Sequence, residues 1–145
     1  MRTKQQIYYN SNGIRTEQKG ASDLQSNKLW IDISNPSPDD LQSIAKEYDL
    51  DEDSIRLIGQ KTKRPQIRML DNYIFSIILD IRFKTIKQLL IEGIYIYVGQ
   101  NWIITLHSSE VNIFSTIKDT LEKKNQKLFH KQLKSTFIHL KIKKP

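Results

Sequence analysis

The stretch YIFSIILDIRF, residues 73–83, decides the fold class of this chain. Its odd-numbered positions are all apolar, whereas its even-numbered positions are apolar or small at first and charged at Asp80 and Arg82. Because successive side chains of a strand point to opposite faces, this pattern predicts a long strand that is covered on both faces at one end and meets water at the other. A strand of this kind belongs to a sheet with a buried centre.

Further strands are predicted on either side of this stretch. Residues 66–70 form a short strand that a turn joins to the long one. Residues 89–98 and 102–107 form a hairpin around the residues Gly-Gln-Asn at 99–101. The first arm of this hairpin is apolar on both faces, which is typical of a central strand.

Residues 28–34 are predicted to be another strand, and its two faces differ. One face holds Leu29, Ile31 and Ile33, and the other holds Trp30 and Asp32. The dipeptide Asn-Pro that follows ends the strand.

Two helices are predicted after this strand. Ser37 is suited to cap the first helix, Pro38 fits its first position, and the two aspartates that follow lie at the positive end of the helix dipole. Its apolar residues recur at the spacing of one buried stripe: Leu41, Ile44, Ala45 and Tyr48. A second, short helix at about 52–58 is capped by Asp51 and ended by Gly59.

The two ends of the chain give less regular patterns. Residues 6–9 and 13–16 predict a weak hairpin, followed by a polar loop up to residue 27. Ser108 or Ser109 is expected to cap a third helix with inward-facing residues at Ile113, Phe114, Ile117 and Leu121. The last segment has apolar residues at helical spacing among lysines: Phe129, Leu133, Phe137 and Leu140.

The order of these elements predicts an α/β protein of the α+β kind, with a mixed sheet packed between helix layers. We expect a weakly structured hairpin and loop over residues 1–27, an α/β domain over 28–124, and a basic helical tail over 125–145. The chain contains no glycine-rich phosphate loop and no nucleophile elbow.

The composition excludes several classes of protein. With 145 residues, 38% of them hydrophobic and 27% charged, the chain resembles one soluble globular domain. The absence of cysteine excludes a disulfide scaffold, a thiolate zinc site, an iron–sulfur cluster and a cysteine nucleophile. There is no run of about 18 apolar residues that could span a membrane. There is also no apolar signal segment, so we expect a cytoplasmic location.

The net charge of +7 is concentrated at one end. Residues 1–122 carry 15 Lys and Arg against 16 Asp and Glu, and residues 123–145 carry 8 Lys and no acid. A neutral body with a basic terminal segment differs from a nucleic-acid-binding fold, whose excess charge lies on a folded face.

Few residues have the pattern of a chemical site. The acids at 49–53 lack the glycine and the final glutamate of a calcium loop, so we interpret them as helix-capping groups. The three histidines lack metal-ligand spacing, and no nucleophile accompanies them. Asp80 and Arg82 share one strand face, which favours either a local ion pair or an acid that faces a ligand. No catalytic residue is proposed.

Five segments, in this order, resemble the cytoplasmic N-terminal domain of the CorA family of divalent-cation channels. They are LWIDI at 29–33, PDDLQSIA at 38–45, KRPQI at 63–67, DNYIF at 71–75 and YIYVGQNWIITLH at 95–107. The residues that carry the family motifs are Trp30, Asp32, Arg64, Pro65, Tyr73, Phe75 and Asn101.

This resemblance implies an α/β domain, five of which form a cytoplasmic funnel in full-length relatives. It also implies a magnesium-sensing site between neighbouring domains. The chain departs from the family because it has no membrane helices, no Gly-Met-Asn motif and almost no stalk. The positions of a frequent acidic pair hold Arg56 and Leu57, and the position of a sensing acid holds Lys84. Asp80 is the nearest remaining carboxylate on that face, so the resemblance makes it the candidate metal ligand.

The resemblance predicts a non-enzymatic regulatory and assembly domain of a CorA-like Mg²⁺/Co²⁺ transporter that does not transport ions alone. Its partners would be copies of itself, as in the family's pentamers, or the remainder of such a channel. It would require no cofactor, with Mg²⁺ as a regulatory ion. The alternative is a small basic-tailed module that binds nucleic acid or an anionic membrane, in which case removal of residues 123–145 would abolish a salt-dependent affinity.

Overall fold

A computed structural model gives the structure of this chain and describes residues 2–10, 13–15, 28–109 and 111–123. Within these ranges the chain forms seven strands and three helices. In chain order they are β1 (Thr3–Asn10), β2 (Gly13–Arg15), β3 (Lys28–Ser34), α1 (Pro38–Tyr48), α2 (Glu52–Ile58), β4 (Gln66–Met69), β5 (Tyr73–Thr85), β6 (Gln88–Gly99), β7 (Trp102–His107) and α3 (Ile113–Lys123).

All the described strands join one sheet in the order β2-β1-β3-β7-β6-β5-β4. Strand β3 pairs with β7 in parallel, and every other neighbouring pair is antiparallel. Because β3 and β7 are parallel, the chain between them leaves the sheet through α1 and α2 and returns through the antiparallel strands β4 to β6. The predicted mixed sheet is thus confirmed.

Helices cover both faces of the sheet. The face that carries Ile31 and Ile33 packs against apolar residues of α1 and α2, including Ile44 and Ile58. The opposite face, with Trp30 at its centre, packs against α3. The structure therefore has two hydrophobic cores, one on each side of the sheet, which agrees with the predicted mixed sheet packed between helix layers.

The two longest strands, β5 and β6, change character along their length. Phe75 and Tyr97 form a cross-strand pair with almost no exposed surface. Farther along the same pair of strands, Ile81 and Phe83 are exposed. This gradient confirms the prediction from residues 73–83, and none of the three described helices covers the apolar face at this end of the β5–β6 pair.

Local signals in the sequence set where α1 and α2 begin. The Ser37 hydroxyl accepts a hydrogen bond from Asp40 N at 3.1 Å, and the Asp40 carboxylate accepts one from Ser37 N at 2.9 Å. This reciprocal pair is a capping box, and Pro38 occupies the first turn. The Asp51 carboxylate caps α2 by accepting from Ser54 N at 3.1 Å. Both predicted caps are confirmed.

The predicted cap of α3 is wrong. The helix begins at Ile113, so Ser108 and Ser109 lie too far ahead of it to act as caps. They form a turn instead, in which Val111 N donates to Ser108 O at 3.2 Å. Ser109 N donates to the Asn35 side-chain oxygen at 3.0 Å, which anchors this turn to the end of β3.

Two predictions fall outside the described residues, namely the loop up to residue 27 and the basic tail at 125–145. In the part of the chain that the structure covers, no helix has both the length and the apolar character needed to span a bilayer.

The capping box of α1 can be tested with a pair of serine variants. Replacing Ser37 with alanine removes the acceptor for Asp40 N, which should lower the free energy of unfolding by about 1 kcal/mol. Ser43→Ala is the matched control, because Ser43 is exposed within the same helix. Urea denaturation should show no loss of unfolding free energy for Ser43→Ala, since alanine is the better helix former. Equal losses in both variants would contradict the assignment.

Candidate functional site

Polar residues gather where the parallel strands β3 and β7 end. Asp32 lies opposite Thr105, and Ser34 lies opposite His107, in the register of these two strands. The carboxyl ends of parallel strands lie at one edge of a sheet, and in open α/β sheets this is where ligands bind. This edge is therefore the first place to look for a functional site.

A buried carboxylate is the centre of this cluster. Asp32 is only 5% exposed. Its Oδ1 accepts hydrogen bonds from Thr105 Oγ1 and from His107 Nε2, both at 2.6 Å. Its Oδ2 accepts from Lys118 Nζ of α3 at 2.5 Å. Trp30 Nε1 completes the network by donating to Thr105 Oγ1 at 2.9 Å.

Positive charge from two sides compensates the buried carboxylate. His107 Nδ1 lies 2.8 Å from Ser108 O and Nε2 lies 2.6 Å from Asp32 Oδ1, so both ring nitrogens face oxygen atoms. Burial by itself would raise the pKa of the Asp32 carboxyl. The hydrogen bonds and charges of His107 and Lys118 outweigh burial and hold that pKa below its usual value.

This arrangement stabilises the fold and is poorly suited to chemistry. Both oxygens of Asp32 are occupied by donors, and both nitrogens of His107 face oxygen atoms. A general base or a metal ligand needs a lone pair that is open to substrate or ion. We name this group of residues, Trp30, Asp32, Thr105, His107 and Lys118, the Asp32 clamp, because it joins β3, β7 and α3.

An open cleft of about 370 Å³ lies on the other side of the same edge. Tyr95 lines it, and the Tyr95 hydroxyl is buried without a hydrogen-bond partner among the described residues. Burial raises the pKa of Tyr95 to about 12, so the hydroxyl stays protonated and can donate. Gly93 makes room for this ring, because a Cβ there would lie 2.6 Å from the Tyr95 hydroxyl oxygen.

The polar groups of this cleft do not suit a divalent cation. Lys63 Nζ donates to Ile58 O at 2.9 Å and lies 5.3 Å from the centroid of the Tyr95 ring. Burial lowers the pKa of Lys63, and the neighbouring charge of Glu92 opposes that shift. The cleft is also lined by Asn35, His107 and Ser108, and Glu92 is its one carboxylate. A lining with a single carboxylate and an ammonium does not form the all-oxygen, mainly anionic ligand set that Mg²⁺ prefers.

A third polar cluster joins α2 to β4 and β5. The Tyr73 hydroxyl donates to Asp51 Oδ1 at 2.6 Å and accepts from Asp51 N at 2.7 Å. Arg68 Nη1 lies 3.2 Å from Asp51 Oδ2, and the Ser54 hydroxyl lies 2.8 Å from the Tyr97 hydroxyl. Burial, with a smaller contribution from the hydrogen bond to Asp51, raises the pKa of Tyr73 to about 12. The aspartate thus has the capping role that the sequence predicts.

The candidate metal ligand Asp80 lies on β5 and belongs to none of the three clusters. Arg82 Nε is 3.1 Å from its Oδ2, so the local ion pair of the sequence analysis is present. Glu92 lies directly opposite Asp80 on β6. Within the described ranges, no group of three or more His, Cys, Asp or Glu residues could hold a metal ion.

The remaining family-motif residues lie in the core, in a loop and in a turn. Phe75 is fully buried, with its ring centroid 4.6 Å from that of Tyr97. Arg64 and Pro65 are exposed in the loop before β4. Asn101 lies in the β6–β7 turn, where its carbonyl accepts from Leu29 N at 3.0 Å.

Sequence reasoning identified Trp30 and Asp32 but missed the partners of Asp32. Thr105, His107 and Lys118 lie 73, 75 and 86 residues away from it along the chain. The sequence does contain one signal. Asp32 shares a strand face with Trp30, which indicates that both are buried, and a buried acid requires a compensating donor.

The Asp32 clamp predicts a specific dependence of stability on pH. Because the pKa of Asp32 is lowered by folding, its carboxylate stabilises the fold above the unfolded-state pKa of about 3.9, and this contribution is lost as the pH falls from there through the folded-state pKa. Asp32→Asn removes the carboxylate that pairs with Lys118 and faces His107, and it should lower the free energy of unfolding by about 3 kcal/mol at pH 7.

Urea denaturation at several pH values measures this effect. The difference between wild type and Asp32→Asn should shrink below about pH 4. Asp119→Asn, at an exposed position on α3, is the control and should change stability little. If the loss of unfolding free energy in Asp32→Asn is small at pH 7, or does not change with pH, the result would count against the clamp.

Comparisons with known proteins agree with this fold. The structure is similar to the soluble domain of CorA from Methanocaldococcus jannaschii, with a TM-score of 0.60 and 15% identity over 82% of this chain and 46% of that chain. It is similar to full-length CmaX, with a TM-score of 0.62 and 12% identity over 83% of this chain and 39% of that chain. It is also similar to the ZntB cytoplasmic domain from Vibrio parahaemolyticus RIMD 2210633, with a TM-score of 0.59 and 13% identity over 81% of this chain and 49% of that chain.

These likenesses show the fold, and the chain spans less than half the length of each of these three structures. No curated protein matches the sequence significantly. The family model described as "CorA-like Mg2+ transporter protein" matches residues 26–143. Because this match includes most of the sequence, the chain belongs to the CorA-like Mg²⁺ transporter family.

Proposed function

We propose that this chain acts as a cytoplasmic regulatory and assembly domain of a CorA-like divalent metal ion transporter and does not conduct ions by itself. The observation that carries this proposal is the family match over residues 26–143, together with the fold of a CorA soluble domain. The family is one of transporters, so we look for a role in assembly and control rather than in catalysis.

The contacts within the chain suit a rigid scaffold. Helices pack on both faces of the sheet, and the Asp32 clamp fixes α3 to the parallel strands. A domain that transmits a ligand signal between subunits must move as a unit, and closely packed layers allow this. The proposed partners are further copies of this chain or the remainder of a CorA-like channel.

The regulatory ion in this proposal is Mg²⁺ or Co²⁺, and the described residues of one chain do not provide a fitting site for it. Asp80 and Glu92 place two carboxylates opposite each other, but Arg82 already neutralises one of them. Mg²⁺ is usually bound through one or two carboxylates and several waters. We therefore propose that Asp80 contributes to an ion site only in an assembly, where another copy supplies further oxygen ligands.

Analytical ultracentrifugation with and without Mg²⁺ tests the proposal. We expect the full chain to self-associate, and millimolar Mg²⁺ to increase the oligomeric fraction and raise the melting temperature by several degrees, because an ion that binds only the folded assembly stabilises it. Co²⁺ should act in the same direction.

A pair of aspartate variants separates the ion site from assembly. Asp80→Asn should abolish the response to Mg²⁺ but leave the fold intact, whereas Asp71→Asn, in an exposed turn, should respond as wild type does. A chain that stays monomeric at all concentrations would contradict the assembly role. Self-association with no response to Mg²⁺ would contradict the regulatory role alone.

A further inference from the structure

The end of the β5–β6 pair has a surface that the proposed function does not use. We name residues 81–91 the distal ribbon; they comprise the last part of β5, its turn and the first part of β6. In this ribbon Ile81 pairs with Ile91, and Phe83 pairs with Leu89. Directly opposed residues of antiparallel strands lie on the same face, so these four side chains form one continuous apolar surface.

This surface is open to solvent. The exposed fractions are 49% for Ile81, 78% for Phe83, 51% for Leu89 and 48% for Ile91. Ile86, in the turn at the tip, is 100% exposed. Single exposed apolar residues are ordinary, but a contiguous group of four that includes a phenylalanine, with a fully exposed isoleucine at the tip, marks an interaction site.

The charges of the distal ribbon all have one sign. Residues 81–91 include Arg82, Lys84 and Lys87 and no acidic residue. The nearest acids, Asp80 and Glu92, form the cross-strand pair at the base of the ribbon, and Asp80 neutralises Arg82. Lys84 and Lys87 form no ion pair with any described residue, so the tip combines exposed apolar side chains with two uncompensated positive charges.

We infer that the distal ribbon binds the surface of an anionic lipid bilayer, with Phe83 and Ile86 inserted among the headgroups. A lysine directly follows each of these two residues in the sequence, at positions 84 and 87, and the two lysines complement the negative charge of the lipid phosphates. Apolar side chains that insert and lysines that contact the headgroups are the two features that interfacial membrane binding requires. A symmetric contact between two ribbon tips would place identical lysines together, which disfavours a second copy as the occupant.

Site-specific fluorescence tests this inference on the full chain. The chain contains no cysteine, so a single Thr85→Cys variant can carry an environment-sensitive dye at the tip. Asn72→Cys, in the exposed turn between β4 and β5, carries the control dye. With vesicles of phosphatidylcholine and 30% phosphatidylglycerol, the dye at position 85 should shift to the blue, while the dye at position 72 should not. Pure phosphatidylcholine vesicles should give a smaller shift.

Two sets of substitutions distinguish insertion of the apolar side chains from attraction between the lysines and the lipid phosphates. Phe83→Ser with Ile86→Ser preserves every charge and should abolish the blue shift. Lys84→Gln and Lys87→Gln should each weaken binding to the anionic vesicles about fivefold, as expected for one lysine near the membrane surface. Lys61→Gln, in an exposed loop elsewhere, is the matched control and should have little effect.

Several results would overturn the inference. The lysines at 123–145 can attract anionic vesicles by charge alone, so cosedimentation without a shift at position 85 would assign binding to that segment. No binding, or an unchanged shift after Phe83→Ser with Ile86→Ser, would also exclude the ribbon as the membrane contact. A shift that grows with protein concentration in the absence of vesicles would identify a second copy as the occupant.

Discussion

The structure depends most on one buried carboxylate at the parallel junction of β3 and β7. Asp32 can remain ionised inside the protein because His107, Thr105 and Lys118 donate to it from β7 and α3. Each donor is far from Asp32 along the chain, so the carboxylate has its full set of partners only in the native arrangement. A buried charge of this kind favours one arrangement of the layers and penalises alternatives that leave it unpaired.

The two faces of the sheet are packed in different ways. The face under α1 and α2 is closed by aliphatic packing and by hydroxyl contacts such as that between Ser54 and Tyr97. The face under α3 contains the charged clamp. Beyond the helices, the β5–β6 pair continues with an uncovered apolar surface that ends at Ile86. The described part of the chain thus combines a closely packed body with an exposed two-stranded extension.

Local patterns predicted the elements of the fold, but they could not predict which distant residues meet. Ser37 and Asp51 were recognised as caps because the hydrogen bonds of a cap join residues three apart. The start of α3 was misplaced because Ser109 binds Asn35, a tertiary contact 74 residues away that overrides its capping tendency. The partners of Asp32 were missed for the same reason, since the parallel pairing that brings His107 to it leaves no local signal in the sequence.

A double-mutant cycle between Asp32→Asn and Lys118→Met tests the central claim most directly. Urea denaturation of wild type, both single variants and the double variant at pH 7 gives the interaction free energy between the two side chains. If the clamp joins α3 to the parallel strands, this coupling should be about 1–3 kcal/mol, in the range found for residues in direct contact. A coupling within error of zero would show that the two residues act independently, and it would contradict the account.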